Sequence, residues 1–320
     1  MADHSITPDR ASLHGDFDAA RPPILTIDPG DRVTMSTLEA GWRLAPSENN
    51  TDQAPRIEPR DPVRDAGHAL CGPIAIRGAE PGMTLAVHID EIVPGTWGTT
   101  PVGGWDSPFN RRLGLVDVAP MTLRWTVDAA AGVCRDQHGH EVPTHPFLGV
   151  MGMPPASVRP VPTGPPRAQG GNLDCQELTA GATLFLPIAV AGGLFSAGDG
   201  HAAQSDGEIC GTAIEAPMER VVLRFDLRDD MPLTTPRART PTDWLTFGFD
   251  EDLDEAVWAA TDDMLTLMSE LLGIGRQEAL GLASMVVRLR VTQMVNGVKG
   301  AHAMISHETV ERLSAGSRHQ

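Results

Sequence analysis

The sequence predicts a mainly β protein with a smaller α+β part towards its C-terminal end, on three observations. Of 320 residues, 33 are Gly and 27 are Pro, a surplus that favours many turns and therefore many strands. Three segments place Pro-Gly or Ala-Gly just ahead of a strand-like run: DPGDRVTM (28–35), EPGMTLAV (80–87) and TAGATLFL (179–186). After about residue 236 the composition changes and helical spacing takes over.

Each element follows from local chemistry. Pro presets φ and Gly accepts φ > 0, so Pro-Gly suits the centre of a type II turn. The run behind it alternates: in TLAVHID, Leu85, Val87 and Ile89 face one way, and Ala86, His88 and Asp90 the other. Further strands are expected at 23–27, 73–77, 121–127 and 219–227. In the last of these, Val221, Leu223 and Phe225 oppose Val222, Arg224 and Asp226. The stretch PPASVRPVPTGPPRAQGG (154–171) has too many prolines for a helix or central strand. It is either a loop that covers a site or a connector between two β halves.

From Glu251 to Leu272, apolar residues recur at helical spacing (Leu253, Val257, Met264, Leu265, Met268, Leu271, Leu272). Asp250, Glu251 and Asp252 favour the start of this helix, and Gly273 suits its C-cap. A second helix is expected from Arg276 to about Arg288, and VRLRVTQMV (287–295) alternates like a strand. The expected division is a β-rich body over 1–235 and an α+β region over 236–320.

Composition narrows the function classes. The hydrophobic share of 41% supports a core, and the formal net charge is −17. Such acidity argues against nucleic acid or an anionic membrane as partner. It fits a neutral or cationic small molecule, or serves solubility alone. The start, MADHSITPDRASLHGDF, has no apolar signal-peptide region, and no run is long enough to span a bilayer. Cys71, Cys134, Cys175 and Cys210 are widely spaced with no CxxC pair, which reads as reduced thiols of a cytoplasmic protein. No G-x-G-x-x-G or P-loop occurs, so no nucleotide cofactor is expected.

Three clusters carry chemistry. GDGHAAQSDGEICG (198–211) packs Asp199, His201, Asp206 and Glu208 among tiny residues. If that piece is extended, Asp199 and His201 leave the same face, while Gly198 and Gly200 let the backbone approach a ligand. His with carboxylates is a usual set for zinc or another divalent ion. Glu208 is close enough in sequence to be a further ligand or a general base. GGNLDCQEL (170–178) offers Asn172, Asp174 and Glu177, and the N-terminal part offers His14, Asp16 and Asp18. Taken singly, each cluster reads more readily as a hydrogen-bonded loop than as a metal site. Together they make a site only if the fold brings them into contact.

Other nucleophiles fit poorly. GLFSAG (193–198) is not the G-x-S-x-G elbow, because Ser196 stands one position too late. Ser–Ser–Lys and Cys–Glu–Lys triads need a lysine, and the sole one, Lys299, lies far from both contexts. Cys210 stays a minor candidate, more simply read as a small buried apolar residue.

Four blocks, PFLGVMGMPPA (146–156), GGNLD (170–174), LFSAGDGHAAQSDGEICGTAIE (194–215) and LRVTQMVNGVKGAHA (289–303), resemble the acetamidase/formamidase family. GHALCGPIAIRGAEPGMTL (67–85) and PPILTIDPGDRV (22–33) are similar to that family's earlier strands, in the same order, so the resemblance covers almost the whole chain. It implies hydrolysis of a small aliphatic amide to carboxylate and ammonia. It also implies β-sandwich or jelly-roll-like halves with a smaller α+β C-terminal part. VNGVKG looks closer to acetamidase-type members. Two departures leave the exact amide open. His14 stands where many relatives carry a His–Asn–Arg–Trp run but is followed here by Gly15, Asp16 and Phe17, and GTTPVGGWDSPFNRRLG (98–114) has its own wording.

On that basis, metal-assisted hydrolysis of a small neutral amide is expected. Asp174, Asp199 and His201 are assigned to a divalent ion, zinc by preference, with His14 as a further ligand. Glu208 is assigned as general base, Asn172 as hydrogen-bond partner of the oxyanion or the amide nitrogen, and His201 as part of the catalytic set. A closed homo-oligomer is expected. Two alternatives stay open: a metal-free hydrolase using Cys210 or a serine, and a noncatalytic β-sandwich that binds a small ligand beside a structural Ca²⁺.

Overall fold

The computed structural model describes residues 1–46 and 54–317. The three Gly-headed turns form as their sequences dictate. Gly30, Gly82 and Gly181 take φ of 90°, 92° and 92°. Each turn closes with a 3.1 Å bond between residues three apart: Asp31 to Asp28, Met83 to Glu80 and Ala182 to Thr179. They launch the strands Arg32–Met35, Thr84–Pro94 and Thr183–Pro187.

Those strands belong to one nine-stranded sheet. Its order is Asp3–Ile6, Arg32–Met35, Met218–Arg228, Thr84–Pro94, Thr183–Pro187, Arg237–Arg239, Asp243–Asp250, Lys299–Ser306, Arg288–Gln293. The alternation sets its inner face: Leu85, Val87, Val221, Leu223 and Phe225 are fully buried, whereas His88, Arg224 and Asp226 point outwards and bond one another.

A six-stranded sheet packs on that face. Phe147–Gly152, Phe195–His201 and Leu70–Ile76 run side by side in it, flanked by Gly170–Asn172 and Leu13–His14, with Leu25–Ile27 parallel to Leu70–Ile76. Phe195 of one sheet meets Phe225 of the other edge-to-face, with centroids 5.2 Å apart. One core runs between them, so the body is a β-sandwich. A four-stranded sheet (Trp97–Val102, Met121–Asp128, Val133–Asp136, Glu141–Pro143) lies alongside. A short helix, α1 (Pro108–Leu113), follows its first strand.

The C-terminal region adds three helices. In α2 (Leu253–Leu272), Asp252 caps the start, Gly273 ends it at φ 67°, and Met264, Leu265, Leu267 and Met268 are buried. It lies on the strands Asp243–Asp250 and Lys299–Ser306. The approach is so close that a Cβ on Gly248 would come within 2.0 Å of the Ala256 carbonyl oxygen. α3 (Arg276–Val286) stops two residues short of the expected end, and α4 (His307–Ser317) has no counterpart among the expected elements. The strand expected at 287–295 forms over Arg288–Gln293. The strands of this region extend the same nine-stranded sheet, so the change near residue 236 is one of composition, not of sheet. Among the described residues, no helix is long and apolar enough to cross a membrane.

Candidate active site

The site is built on the six-stranded sheet. Phe195–His201 is antiparallel to Phe147–Gly152, with Leu148 opposite Gly200 and Val150 opposite Gly198, which sets Gly149 across from Asp199. Gly149 has to be glycine. A Cβ there would stand 2.5 Å from Asp199 Oδ2, 2.6 Å from Asp174 Oδ1 and 2.9 Å from His201 Cε1. The missing side chain is therefore the hollow on which the three functional side chains converge. Asp174 arrives from the segment after Gly170–Asn172, where the carbonyl of Gly149 accepts bonds from Leu173 and Asp174 at 2.9 and 3.2 Å.

One ligand atom each from Asp174, Asp199 and His201 lies within 4.8 Å of the others, and all three residues are buried. Asp174, Asp199 and Glu208 hold φ of 48°, 57° and 47°. Such left-handed backbone at non-glycine residues costs about 1–3 kcal/mol each and gathers at functional sites. Asn296 Nδ2 donates to Asp174 Oδ2 at 2.7 Å. His201 Nε2 lies 3.4 Å from Asp199 Oδ1 and 3.3 Å from Glu215 Oε2. The Phe147 ring packs edge-on to the imidazole at 5.0 Å.

Electrostatics follow from this crowding. Burial raises the Asp174 carboxyl to about 7, against the pull of a charged His201. Burial also pushes Glu208 well above the usual carboxylate range, and the neighbouring Asp174 charge adds to it. Burial opposes charge on His201 too, but the carboxylates of Glu215 and Asp199 outweigh it and hold the imidazolium far above its ordinary range. Asp199 is held low, because the positive charges of His68 and His201 overcome its desolvation. Buried acids at such density call for a cation. Asp174 Oδ1, His201 Nδ1, Glu208 Oε2 and Glu215 Oε2 are all buried without a hydrogen-bond partner. These orphaned atoms and the Gly149 hollow fit a divalent metal held by two carboxylates and one imidazole.

The other sequence-derived residues fall as follows. Glu208 lines a cavity of about 860 Å³ together with Trp125, Val142, His145, Ile209 and Cys210. Asn172 is buried with Oδ1 unpartnered. His14 does not join the metal group. Its Nδ1 bonds the Asp16 carbonyl at 2.8 Å and its Nε2 bonds Ser196 Oγ at 3.0 Å, so neither nitrogen is free to ligate. Burial first, and then Arg21, lowers its pKa to about 3. Asp16 pairs with Arg21, and Asp18 caps its own turn at Ala20. Asp206 binds Arg290 and Gln176, and Glu177 binds Arg290, and neither belongs to this group.

Sequence reasoning missed Glu215, His68, Gly149 and Asn296. Glu215 reaches His201 because its segment bridges both Thr99 and His201. His68 is fixed by a 2.8 Å bond from Nδ1 to Thr163 Oγ1 in the proline-rich segment. That segment, through Arg159–Gly164, walls a second cavity of about 780 Å³ that also touches Gly67 and His68. Gly149, Glu215 and Asn296 all lie inside the quoted blocks, but nothing in their local pattern marks them as converging.

A model of the acetamidase/formamidase family matches residues 2–160 and 156–305. An acetamidase of Mycolicibacterium smegmatis is 30% identical over 275 residues, which cover 67% of this chain and 64% of that protein. The chain thus spans a little under two thirds of the length of that curated relative. An acetamidase structure from Bacillus halodurans superposes with a TM-score of 0.82 at 27% identity, covering 96% of this chain and 99% of that one. A structure from Thermoanaerobacter tengcongensis, described as a predicted acetamidase/formamidase, reaches a TM-score of 0.84 at 23% identity, covering 98% and 99%. The second likeness is one of fold.

Proposed function

The chain belongs to the acetamidase/formamidase family, and from that premise we propose that it hydrolyses a small aliphatic amide to a carboxylate and ammonia. One observation carries the reading: Asp174, Asp199 and His201 converge within 4.8 Å beside Glu208, whose Oε2 is unpartnered and which borders an 860 Å³ cavity.

Asp174, Asp199 and His201 would hold a divalent cation, zinc by their donor set. Such a cation polarises a carbonyl and lowers the pKa of water from about 15.7 towards roughly 7. The chain's own groups do the rest. Glu208 accepts the proton of the attacking water at Oε2 and hands it to the departing nitrogen. Its elevated proton affinity suits the second half of that task. Glu215 and Asp199 both approach His201 at Nε2, which leaves Nδ1 without a partner. Asn172 orients the amide by a hydrogen bond to its nitrogen or to the developing oxyanion. The left-handed backbone at Asp174, Asp199 and Glu208 supports a site held in place before substrate arrives.

Cys210 borders the same cavity, but its thiol donates to the Thr212 carbonyl at 3.1 Å instead of to a base, which favours the carboxylate mechanism. The four unpaired thiols suit a reducing cytoplasm. Exposed Trp258, Leu280, Met285 and Leu289 supply apolar contacts for a homo-oligomer, checked by light scattering on the eluted protein. The test of the chemistry is ammonia release from formamide, acetamide and propionamide. Glu208→Gln lowers kcat by about 10²-fold or more, and an unchanged kcat removes Glu208 from the role of base.

A further inference from the structure

We propose a second metal centre at Cys175, Glu177 and His302, suited to zinc or another thiolate-binding divalent ion. One ligand atom from each lies within 4.8 Å of the others. Cys175 and His302 are 0% exposed, and the Glu177 side chain is 11% exposed. A cysteine thiol, a carboxylate and an imidazole form a donor set of the kind zinc takes.

Each ligand is already aimed by a neighbour. His302 Nδ1 lies 2.7 Å from Thr292 Oγ1, which leaves Nε2 to face the cluster. That nitrogen is buried, has no hydrogen-bond partner and stands 3.5 Å from Glu177 Oε2. An unsatisfied buried polar atom is costly, so a group that accepts its lone pair has something to offset. The two oxygens of Glu177 divide their partners. Oε1 accepts from Arg290 Nη1 at 2.6 Å, while Oε2 accepts the Cys175 thiol at 3.3 Å. Arg290 also binds Asp206, which takes Gln176 Nε2 at 2.8 Å. An imidazole held through its far nitrogen and a carboxylate held through its far oxygen is the outer support that metal ligands use.

The charges balance. Binding forms a metal–sulfur bond and releases the Sγ proton to solvent, with no change of oxidation state. One thiolate and one carboxylate then match a divalent charge, while Arg290 stays paired with Asp206. The location gives the centre a purpose. Cys175 follows Asp174 directly in the chain, and His302 lies on the strand Lys299–Ser306. A metal here fastens the segment that carries Asp174 to the C-terminal region. None of this depends on the amidase reading.

Cobalt(II) tests it. The full-length protein, stripped with a chelator, is titrated with Co²⁺ while the near-ultraviolet thiolate-to-cobalt charge-transfer band is followed. Asp174, Asp199 and His201 contain no thiol and are silent in that band. The expected result is a band that is complete within two equivalents in the wild-type protein, where the Asp174 group also takes cobalt, and at one equivalent in Asp199→Asn. It disappears in Cys175→Ser, binds at least ~10-fold more weakly in His302→Gln, and persists in Asp199→Asn and Cys210→Ser. No band in the wild-type protein, or a band lost in Cys210→Ser but kept in Cys175→Ser, overturns the proposal. If Cys175→Ser fails to fold, the wild-type titration and the His302→Gln affinity decide the question alone.

Discussion

In the nine-stranded sheet, Thr84–Pro94 and Met218–Arg228 bury alternate apolar residues and leave polar ones at the surface. In the six-stranded sheet, Phe195–His201 is buried at every one of its seven positions, although Ser196, Asp199 and His201 are polar. One sheet gains stability from transfer of apolar area out of water. The other gives some of that up: it buries the acid Asp199 and bends it into left-handed backbone. A sandwich that carries a site can thus separate the two tasks, with one layer supplying stability and the other holding side chains in costly positions.

Substitutions that act on one layer sharpen the contrast. Leu223→Ala, in the wholly buried row facing the core, should lower unfolding free energy by about 2–5 kcal/mol. Urea denaturation measures it, and kcat per folded molecule should stay within about twofold because no functional side chain moves. Gly149→Ala reverses the balance. Its methyl meets Asp199 and Asp174 oxygens at 2.5 and 2.6 Å, so bound metal and kcat should each fall by roughly 10- to 100-fold, while stability drops by only about 1–3 kcal/mol. Equal losses of stability and activity in both variants would erase the distinction. Gly82→Ala has the smallest expected effect. A Cβ there meets nothing within 4 Å, so the φ of 92° is the sole cost, about 1 kcal/mol, with kcat unchanged.

The same contrast explains what was legible in the sequence. Alternation exposed Thr84–Pro94 and Met218–Arg228, and helical spacing with an acidic start and Gly273 exposed α2. Phe147–Gly152 and Phe195–His201 carry no alternation, because both of their faces are covered. Phe147–Gly152 stands out only as a block of family likeness, whereas the end of Phe195–His201 is marked by its charges among tiny residues. Asp199 and His201 could be paired by spacing. Asp174 could be joined to them only by a sheet register that brings Gly149 between them. Glu215 and Asn296 were hidden for the same reason, since long-range pairing leaves no local period. A histidine beside acids looks like a ligand in sequence, whereas the long-range partner of His14, Ser196 Oγ at Nε2, leaves no local mark.

The central claim is that the carboxylates and imidazole around Gly149 hold a cation needed for amide hydrolysis. The most direct measurement is ammonia release from acetamide by protein stripped with a chelator, verified metal-free by elemental analysis, and then given back zinc. Activity should be lost on stripping and return when zinc is added to the wild-type chain, with no return in Asp199→Asn. Full activity in the verified metal-free protein would contradict it.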